Sequence, residues 1–366
     1  MRGTAIAAPR ATSAATRGTS TLDRIGYGII GAGWILPNHA IAARYLRDQN
    51  VELTAIADID ERRARRAAEE FGARHWYTDH RALLARDDVH VVSLCLPHHL
   101  HRDVAIAAAR AGKHVLCEKP LALDVAEADA IIAAAREAGV QLGVVFQHRW
   151  DPPFQRLRRA VERRAFGQVL LGHVFHRCKN LTAPEFRDAW REHGKTVGGG
   201  VMTMQTIHFL DILLWCLGPV ESVTARVDAL VLKRDVEDTG SAVLRFRSGA
   251  IGSVVSTEAN ETERISRIEI HGTTGTAVWE NSAWLRWEPA PGDAEPAARD
   301  DEPRLSEADR ARLLFGTGHV KQIVDFVDRV RRGLPPAVTG EDGRHATAVV
   351  RAMYESSETG RTVLVR

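Results

Sequence analysis

A lysine stands in an unusual setting in the first half of the chain. Residues 112–124 read GKHVLCEKPLALD, and a short apolar run within them ends abruptly at Glu118, Lys119 and Pro120. A lysine at the end of a buried strand can hydrogen-bond a ligand hydroxyl and stabilise negative charge that develops on its oxygen. A lysine in a turn is more often an ordinary surface residue, so this assignment depends on the surrounding elements.

A histidine in the second half offers a base. The segment VGGGVMTMQTIHFLDILLWCLG covers residues 197–218, and its pattern predicts a helix with His208 and Asp211 three residues apart on one face. An imidazole has a reference pKa of about 6.5 and can accept a hydroxyl proton near neutrality. Three glycines before the helix let the backbone approach a ligand. Taken alone, a helical histidine is more often structural.

The first apolar run ends in a glycine turn that is typical of dinucleotide sites. Residues 25–34 read IGYGIIGAGW, with Gly31 and Gly33 before a helical pattern. Gly31 permits a tight turn, and Gly33 lets the backbone approach a pyrophosphate at the helix N-terminus. Leu36 occupies the place of a third glycine, so the motif is incomplete. A glycine turn without a ligand is the alternative interpretation.

An acid at the end of the second apolar run supports the dinucleotide interpretation. The run VELTAIAD ends at Asp58, 58 − 31 = 27 residues after Gly31, which is more than the usual spacing of about 20. Its carboxylate would accept hydrogen bonds from ribose hydroxyls and repel a 2′-phosphate, which favours NAD. Arg62 and Arg63 follow closely and leave NADP open.

Alternating strand and helix patterns place these residues in one domain. Helical patterns, among them 61–72 with Gly72 as a C-cap, separate the strand-like runs. Those runs lie at 25–34, 51–58, 89–97, 114–117 and 141–150. The alternation predicts a doubly wound parallel sheet, in which ligands bind beyond the carboxyl ends of the strands. The ends of the third and fourth runs, Pro97-His98 and Glu118-Lys119, would then face the same crevice.

The pattern changes after about residue 150, where strand-like runs dominate. Residues 241–259 predict a hairpin around Ser248-Gly249. We therefore divide the chain into a disordered tail at 1–24, a Rossmann domain at 25–147 and a second domain at 148–366. A helix near 318–332 is expected to return to the first domain.

Composition excludes several classes of function. The chain has 366 residues, with 49 basic and 47 acidic side chains and a net charge of +2, so nothing in its charge favours nucleic acid as a partner. No stretch approaches the roughly 20 apolar residues that span a bilayer. Four scattered cysteines without CxxC spacing favour a reducing compartment, and we expect a cytoplasmic protein. His98, His99 and His101 are too close together to converge on one ion, so we expect no metal.

Several segments together resemble the family of glucose–fructose oxidoreductase, inositol dehydrogenase and MocA-like proteins. They are IIGAGW, LPHHLH, AGKHVLCEKPLAL, GGGVMTMQTIHFLD, VEDTGSAVLRF, GTTGT and YESSETGRTVLV, spread over nearly everything after residue 24. The resemblance implies an N-terminal Rossmann domain and a C-terminal α/β domain, whose open, mostly antiparallel sheet packs in homodimers or homotetramers. It also implies NAD(P)-dependent chemistry on a hydroxyl of a sugar or cyclitol.

The motifs and the resemblance together assign roles to individual residues. Lys119 and His208 are the expected catalytic pair. The expected cofactor ligands are Gly31, Gly33, Trp34, Ile35, Asp58, Leu96, Pro97, His98, His101, Glu118, Lys119, Gln147, Trp190 and Arg191. The expected substrate ligands are Lys119, Arg149, Gln205, His208 and Asp211.

One position departs from the family pattern. Many members carry an aspartate four residues before the catalytic histidine, where this chain has Met204. Methionine cannot accept a proton or orient an imidazole. Either His208 works without that acid, or Gln205 and Asp211 partly substitute for it.

The sequence therefore predicts an NAD-dependent dehydrogenase that oxidises a secondary hydroxyl of a small sugar, sugar derivative or cyclitol, or reduces the ketone. Two alternatives stay open. One is a redox-neutral epimerase or glycosidase that oxidises transiently and keeps its cofactor. The other, suggested by Met204, is a sensor that binds the dinucleotide without turnover.

Overall fold

The structure is a computed structural model that describes residues 23–179, 189–191, 193–293 and 302–366. The predicted tail at 1–24 therefore lies outside the described residues, apart from its last two positions.

The first half forms a six-stranded parallel sheet. Its strands are β1 Ile25–Ile30, β2 Val51–Ala57, β3 His75–Tyr77, β4 Val91–Leu94, β5 His114–Cys117 and β6 Leu142–Val144. The strand order β3-β2-β1-β4-β5-β6 reverses direction between β1 and β4, which opens a crevice beyond their carboxyl ends. All six residues of β1 are buried, because helices cover both faces of the sheet. The doubly wound fold is confirmed.

Five helices connect these strands. They are α1 Leu36–Tyr45, α2 Glu61–Phe71, α3 His80–Leu84, α4 His101–Arg110 and α5 Val125–Ala138. The Asp60 side chain caps the start of α2, and Gly72 ends it with a φ of +76°, a left-handed conformation that glycine adopts without strain. The helix predicted over 61–72 is confirmed.

Two strand predictions need correction. The short strand β3 was not predicted from the sequence. The strand predicted over 141–150 ends at Val144, and residues Gln147–Trp150 form a 3₁₀ turn. The Gln322 side chain donates to the Val144 carbonyl at 2.7 Å and accepts from the Phe146 N–H at 3.1 Å. A side chain thus satisfies backbone groups that a longer strand would have paired.

The second half is built on an eight-stranded sheet. Its strands are β7 Val169–Lys179, β8 Val220–Asp228, β9 Thr239–Phe246, β10 Ile251–Asn260, β11 Ile265–Gly272, β12 Thr276–Glu280, β13 Ala283–Glu288 and β14 Val363–Leu364. The order is β13-β12-β11-β7-β10-β9-β8-β14, and among these described strands the β7–β10 pair is parallel while the other pairs are antiparallel. The open, mostly antiparallel sheet and the hairpin around Ser248-Gly249 are confirmed.

Six α-helices lie in the described part of the second half. They are α6 Pro152–Glu162, α7 Gly194–Val197, α8 Ile207–Leu217, α9 Glu307–Arg312, α10 Gly318–Arg331 and α11 Gly340–Thr359. Helices α8 and α11 pack on one face of the eight-stranded sheet. Helix α10 instead packs on α1, and its Ile323 and Phe326 join the core of the six-stranded sheet. The division of the chain at 147 stays a prediction.

One described segment, Gly194–Leu217, is long and apolar enough to cross a membrane by length and composition, which corrects the expectation that no stretch comes close. In the fold 83% of its most apolar window is buried inside the protein. A buried core helix of a soluble protein meets the same criterion, so this segment is weak evidence for a membrane span.

Candidate active site

A cavity of about 640 Å³ lies beyond the carboxyl ends of β1, β4 and β5. Most of the residues expected to bind cofactor or substrate line it. These residues are Gly31, Gly33, Trp34, Ile35, Asp58, Leu96, Pro97, His98, Glu118, Lys119, Gln147, Trp190, Arg191, Gln205 and His208. Residues far apart in the sequence therefore converge where a doubly wound fold places its ligand.

The glycine turn after β1 leaves its backbone open to the cavity. Gly31 has a φ of +101°, and a side chain there would collide with the Cys95 carbonyl. A Cβ on Gly33 would have no atom within 4 Å, so the turn leaves room for a pyrophosphate at the start of α1. Asp58 Oδ2 accepts from the Ala32 N–H at 2.7 Å, which fixes the acid beside this turn.

Lys119 extends from the end of β5 into the cavity wall. Its peptide bond to Pro120 is cis. Its Nζ donates to the Met204 carbonyl at 2.6 Å. Burial lowers the pKa of Lys119 to about 8, and the neighbouring Glu118 carboxylate opposes that shift. The ammonium is therefore positioned beside α8 and titrates near neutrality.

A π-helical turn at Met202–Thr206 precedes α8 and carries the chain to His208. Such turns often occur at functional sites. The carboxylate of Glu237 anchors this segment, because it accepts from the Gly200 N–H at 2.6 Å and the Met202 N–H at 2.9 Å. A side chain at any of the three glycines would collide with the protein itself: at Gly198 with Leu123, at Gly199 with Tyr354 and at Gly200 with Glu237. The glycines therefore serve close packing within the protein.

His208 faces the cavity as a neutral base. Burial lowers its pKa well below the usual value, and the charge of Lys119 adds to that effect. Its Nδ1 is buried without a hydrogen-bond partner in the described part of the chain. The ring of His148 lies 5.4 Å away in an edge-to-face arrangement, and His148 Nδ1 contacts Asp151 Oδ2 at 2.6 Å.

Three expected ligands lie outside the cavity. Arg149 and Asp211 bind each other through two contacts of 2.6 and 2.8 Å, and both are buried. The spacing of His208 and Asp211 placed them on one side of α8, yet only His208 reaches the cavity, so Asp211 does not substitute for the missing acid. His101 is also buried, and its ring nitrogens lie 2.8 and 3.0 Å from the carbonyls of Pro120 and Leu96. His101 therefore holds the segments that follow β4 and β5 in place.

Other expected ligands line the cavity with polar and aromatic side chains. Gln147 is buried, and its Oε1 has no partner among the described residues. Trp190 packs edge-to-face on His98 with ring centres 4.8 Å apart, and the Arg191 guanidinium lies 4.8 Å from the Trp190 ring. All of these residues line the same cavity as Lys119 and His208.

Several residues of the site were not predicted from the sequence. His319 lines the cavity from α10, and Cys178 and Arg264 line it from the second half. His39 lies in α1 behind Glu118, with Nε2 3.0 Å from Glu118 Oε1. His39 closely follows the glycine turn in the sequence, so a search around that motif could have found it. No sequence pattern near His319 indicates a role in the site, because His319 reaches the cavity only through the packing of α10 on the first domain.

The residues of the cavity fit a nicotinamide dinucleotide. The open glycine turn suits a pyrophosphate, Asp58 suits ribose hydroxyls, and the orphaned Gln147 Oε1 suits an amide donor. Fold and site together define an NAD-binding oxidoreductase.

The chain belongs to the glucose–fructose oxidoreductase, inositol dehydrogenase and MocA family. Residues 25–146 match the model of an oxidoreductase family with an NAD-binding Rossmann fold, and residues 154–278 match the C-terminal domain of the same family.

Named relatives support this membership over nearly the whole chain. The chain is 33% identical to myo-inositol 2-dehydrogenase of Thermotoga maritima, with 92% of this chain and 97% of the relative covered. It is 30% identical to D-apiose dehydrogenase of Paraburkholderia graminis, over 98% and 94% of the two chains. Among solved structures it is similar to the WlbA dehydrogenase of Bordetella pertussis in complex with NADH and UDP-GlcNAcA. That pair has a TM-score of 0.82 and 28% identity, over 94% and 99% of the chains.

Proposed function

We propose that this protein is an NAD-dependent dehydrogenase that oxidises a secondary hydroxyl of a sugar, sugar derivative or cyclitol, or reduces the corresponding ketone. The observation that supports the proposal is that Lys119 and His208 both line the cavity into which the glycine turn opens. The names of the relatives support the substrate class, since they act on inositol and apiose. NAD, when bound, supplies the hydride acceptor.

The two residues divide the proton chemistry between them. His208 is neutral because its pKa is depressed, so it accepts the proton of the substrate hydroxyl. Lys119 is mostly protonated at neutral pH and donates a hydrogen bond to the same oxygen, which stabilises its developing negative charge. The Met204 carbonyl holds the ammonium in place through its 2.6 Å contact. Gln205 lines the cavity beside them and would orient the substrate.

The decisive experiment measures NADH formation with purified protein, NAD and a panel of free sugars, inositols, glycosides and nucleotide sugars, with NADP run in parallel. We expect NADH with one class of substrate. The Lys119→Ala variant should lose turnover by about 10² to 10⁴ and still bind NAD.

A denatured sample identifies any cofactor that co-purifies. If no substrate yields NADH although NAD is bound, the dehydrogenase proposal is wrong, and a redox-neutral enzyme or a sensor takes its place. Normal turnover by Lys119→Ala would contradict the assigned mechanism even if the activity itself were found.

We further propose that the protein is a homo-oligomer whose copies pack through the open face of the eight-stranded sheet. Apolar side chains are exposed on that face. On β7 and β10 they stand in register, Leu171 beside Ile251 and Phe175 beside Val255, and each is more than a third exposed. An apolar face of this extent favours burial against a second copy.

A further inference from the structure

Glu118 is the centre of a buried cluster with His39 and His319, and two of its members, Glu118 and His319, line the cavity. Its Oε1 lies 3.0 Å from His39 Nε2 and 3.5 Å from His319 Nε2, and its Oε2 accepts from the Lys119 N–H at 3.3 Å. The three side chains are almost fully buried. Buried polar groups of this kind must satisfy each other, so the proton on each ring nitrogen can be worked out from its partners.

The partners of His319 make it neutral. The Asn38 amide is oriented by Leu314, because Oδ1 accepts from the Leu314 N–H at 3.0 Å and Nδ2 donates to its carbonyl at 2.7 Å. Nδ2 therefore also donates to His319 Nδ1, 3.0 Å away. A ring that accepts at Nδ1 carries its only proton on Nε2, which points at Glu118.

A proton count makes His39 neutral as well. Its Nδ1 lies 2.8 Å from Ser93 Oγ, and the Tyr27 hydroxyl bonds the same oxygen. Both hydroxyl protons are satisfied only if Tyr27 donates to Ser93 and Ser93 donates to His39 Nδ1. A protonated Nδ1 would leave one buried hydroxyl proton without an acceptor, so the single proton of His39 is on Nε2.

Glu118 is therefore an ionised carboxylate between two neutral imidazoles that donate to it. Burial alone would raise its pKa, but the two imidazoles outweigh burial and hold the pKa well below its usual value. The ring nitrogens that point at Glu118 carry protons and offer no lone pair to a metal, although the three groups lie within 4.8 Å of one another. The cluster thus holds one net negative charge against the cavity.

We propose that this Glu118 charge makes the site bind the oxidised dinucleotide, whose nicotinamide ring is positively charged, in preference to the reduced one, whose ring is neutral. Glu118 and Lys119 directly follow β5 and line the same cavity as His208, so a nicotinamide ring bound beside Lys119 and His208 would lie near a carboxylate that is almost fully buried. Electrostatic attraction is strengthened in such surroundings. The preference favours entry of NAD and release of NADH.

The test measures dissociation constants for NAD and NADH by calorimetry, without substrate, so its outcome is independent of the substrate class proposed above. In Glu118→Gln, which removes the charge and keeps the shape, we expect the dissociation constant for NAD to rise about tenfold or more, while that for NADH changes less than about twofold. Glu118→Asp keeps a charge and should keep most of the preference. If Glu118→Gln raised the dissociation constants for NAD and NADH equally, or changed neither, the proposal would be wrong.

As a control, Asp58→Asn removes an acid beside the glycine turn and should affect the dissociation constants of both forms equally.

Discussion

The Lys119 ammonium donates to the backbone carbonyl of Met204 at 2.6 Å. The family resemblance led us to expect an aspartate at the position of Met204, and in this chain the backbone of that residue holds the lysine. The contact lies within the π-helical turn at Met202–Thr206, a departure from regular α-helix of the kind that often occurs at functional sites. Without an aspartate the site lacks one negative charge, but the Met204 carbonyl still holds Lys119 in position.

The pH dependence of turnover separates the roles of Lys119 and His208. Because Lys119 has a pKa of about 8 and acts in its protonated form, kcat/KM for oxidation should fall above pH 8. Because the pKa of His208 is well below its usual value, we expect no decline between about pH 6.5 and pH 7.5. A rate profile over pH 5.5 to 9.5 checks both points.

The control for this profile is Lys119→Arg. A guanidinium does not titrate in this range, so the fall above pH 8 should disappear, at a lower overall rate. A rate that rises through pH 8 in the wild type would contradict the assignment, since it would make neutral Lys119 the base.

Met204→Asp should restore a charge that the site lacks. The side chain of Met204 is buried and lines the cavity with Lys119 and His208. A carboxylate there favours the protonated forms of both neighbours, so both limbs of the pH profile should move to higher pH by about one to three units. The matched control is Met204→Asn, which has nearly the same shape as aspartate and no charge. Equal profiles for the two variants would show that the position does not influence either group.

The sequence predicted those parts of the site that local patterns encode. Strand ends and glycine turns lie within short segments, so Lys119, Asp58 and Gly33 could be placed together as soon as the alternation indicated a parallel sheet. His208 needed the family resemblance, because a helical histidine alone says little about its surroundings.

The remaining residues of the site are brought together by contacts between distant parts of the chain, which no short sequence segment indicates. His39 and Glu118 are 79 positions apart, and His319 arrives only because α10 returns to the first sheet. Asp211 was misplaced for a different reason. A spacing of three residues leaves two side chains about 60° apart around a helix, and Arg149 binds the carboxylate on the side away from the cavity.

The Arg149–Asp211 pair should contribute to stability rather than to substrate binding. Both side chains are buried, and removing one partner leaves the other charge uncompensated. Arg149→Met should lower the free energy of unfolding by about 3 to 5 kcal/mol and leave KM unchanged in the folded protein. Urea denaturation measures the first effect. The control is Arg344→Met in the more exposed pair with Asp129, which should cost no more than about 1 kcal/mol. If KM rose in Arg149→Met, Arg149 would contribute to substrate binding and its purely structural role would be wrong.

The last prediction concerns the open face of the eight-stranded sheet, which is the face opposite α8 and α11. Phe175 and Val255 are neighbours in register on β7 and β10, and their side chains are 38% and 37% exposed. If copies pack through this face, Phe175→Glu places a charge in the contact, where it has no partner and loses its hydration. The variant should therefore sediment as a smaller species than the wild type at the same concentration and still bind NAD. Leu230→Glu is the control, since Leu230 is 65% exposed in the loop after β8 and its replacement should leave the assembly intact. A wild-type chain that sediments as a monomer at micromolar concentration would refute packing through this face.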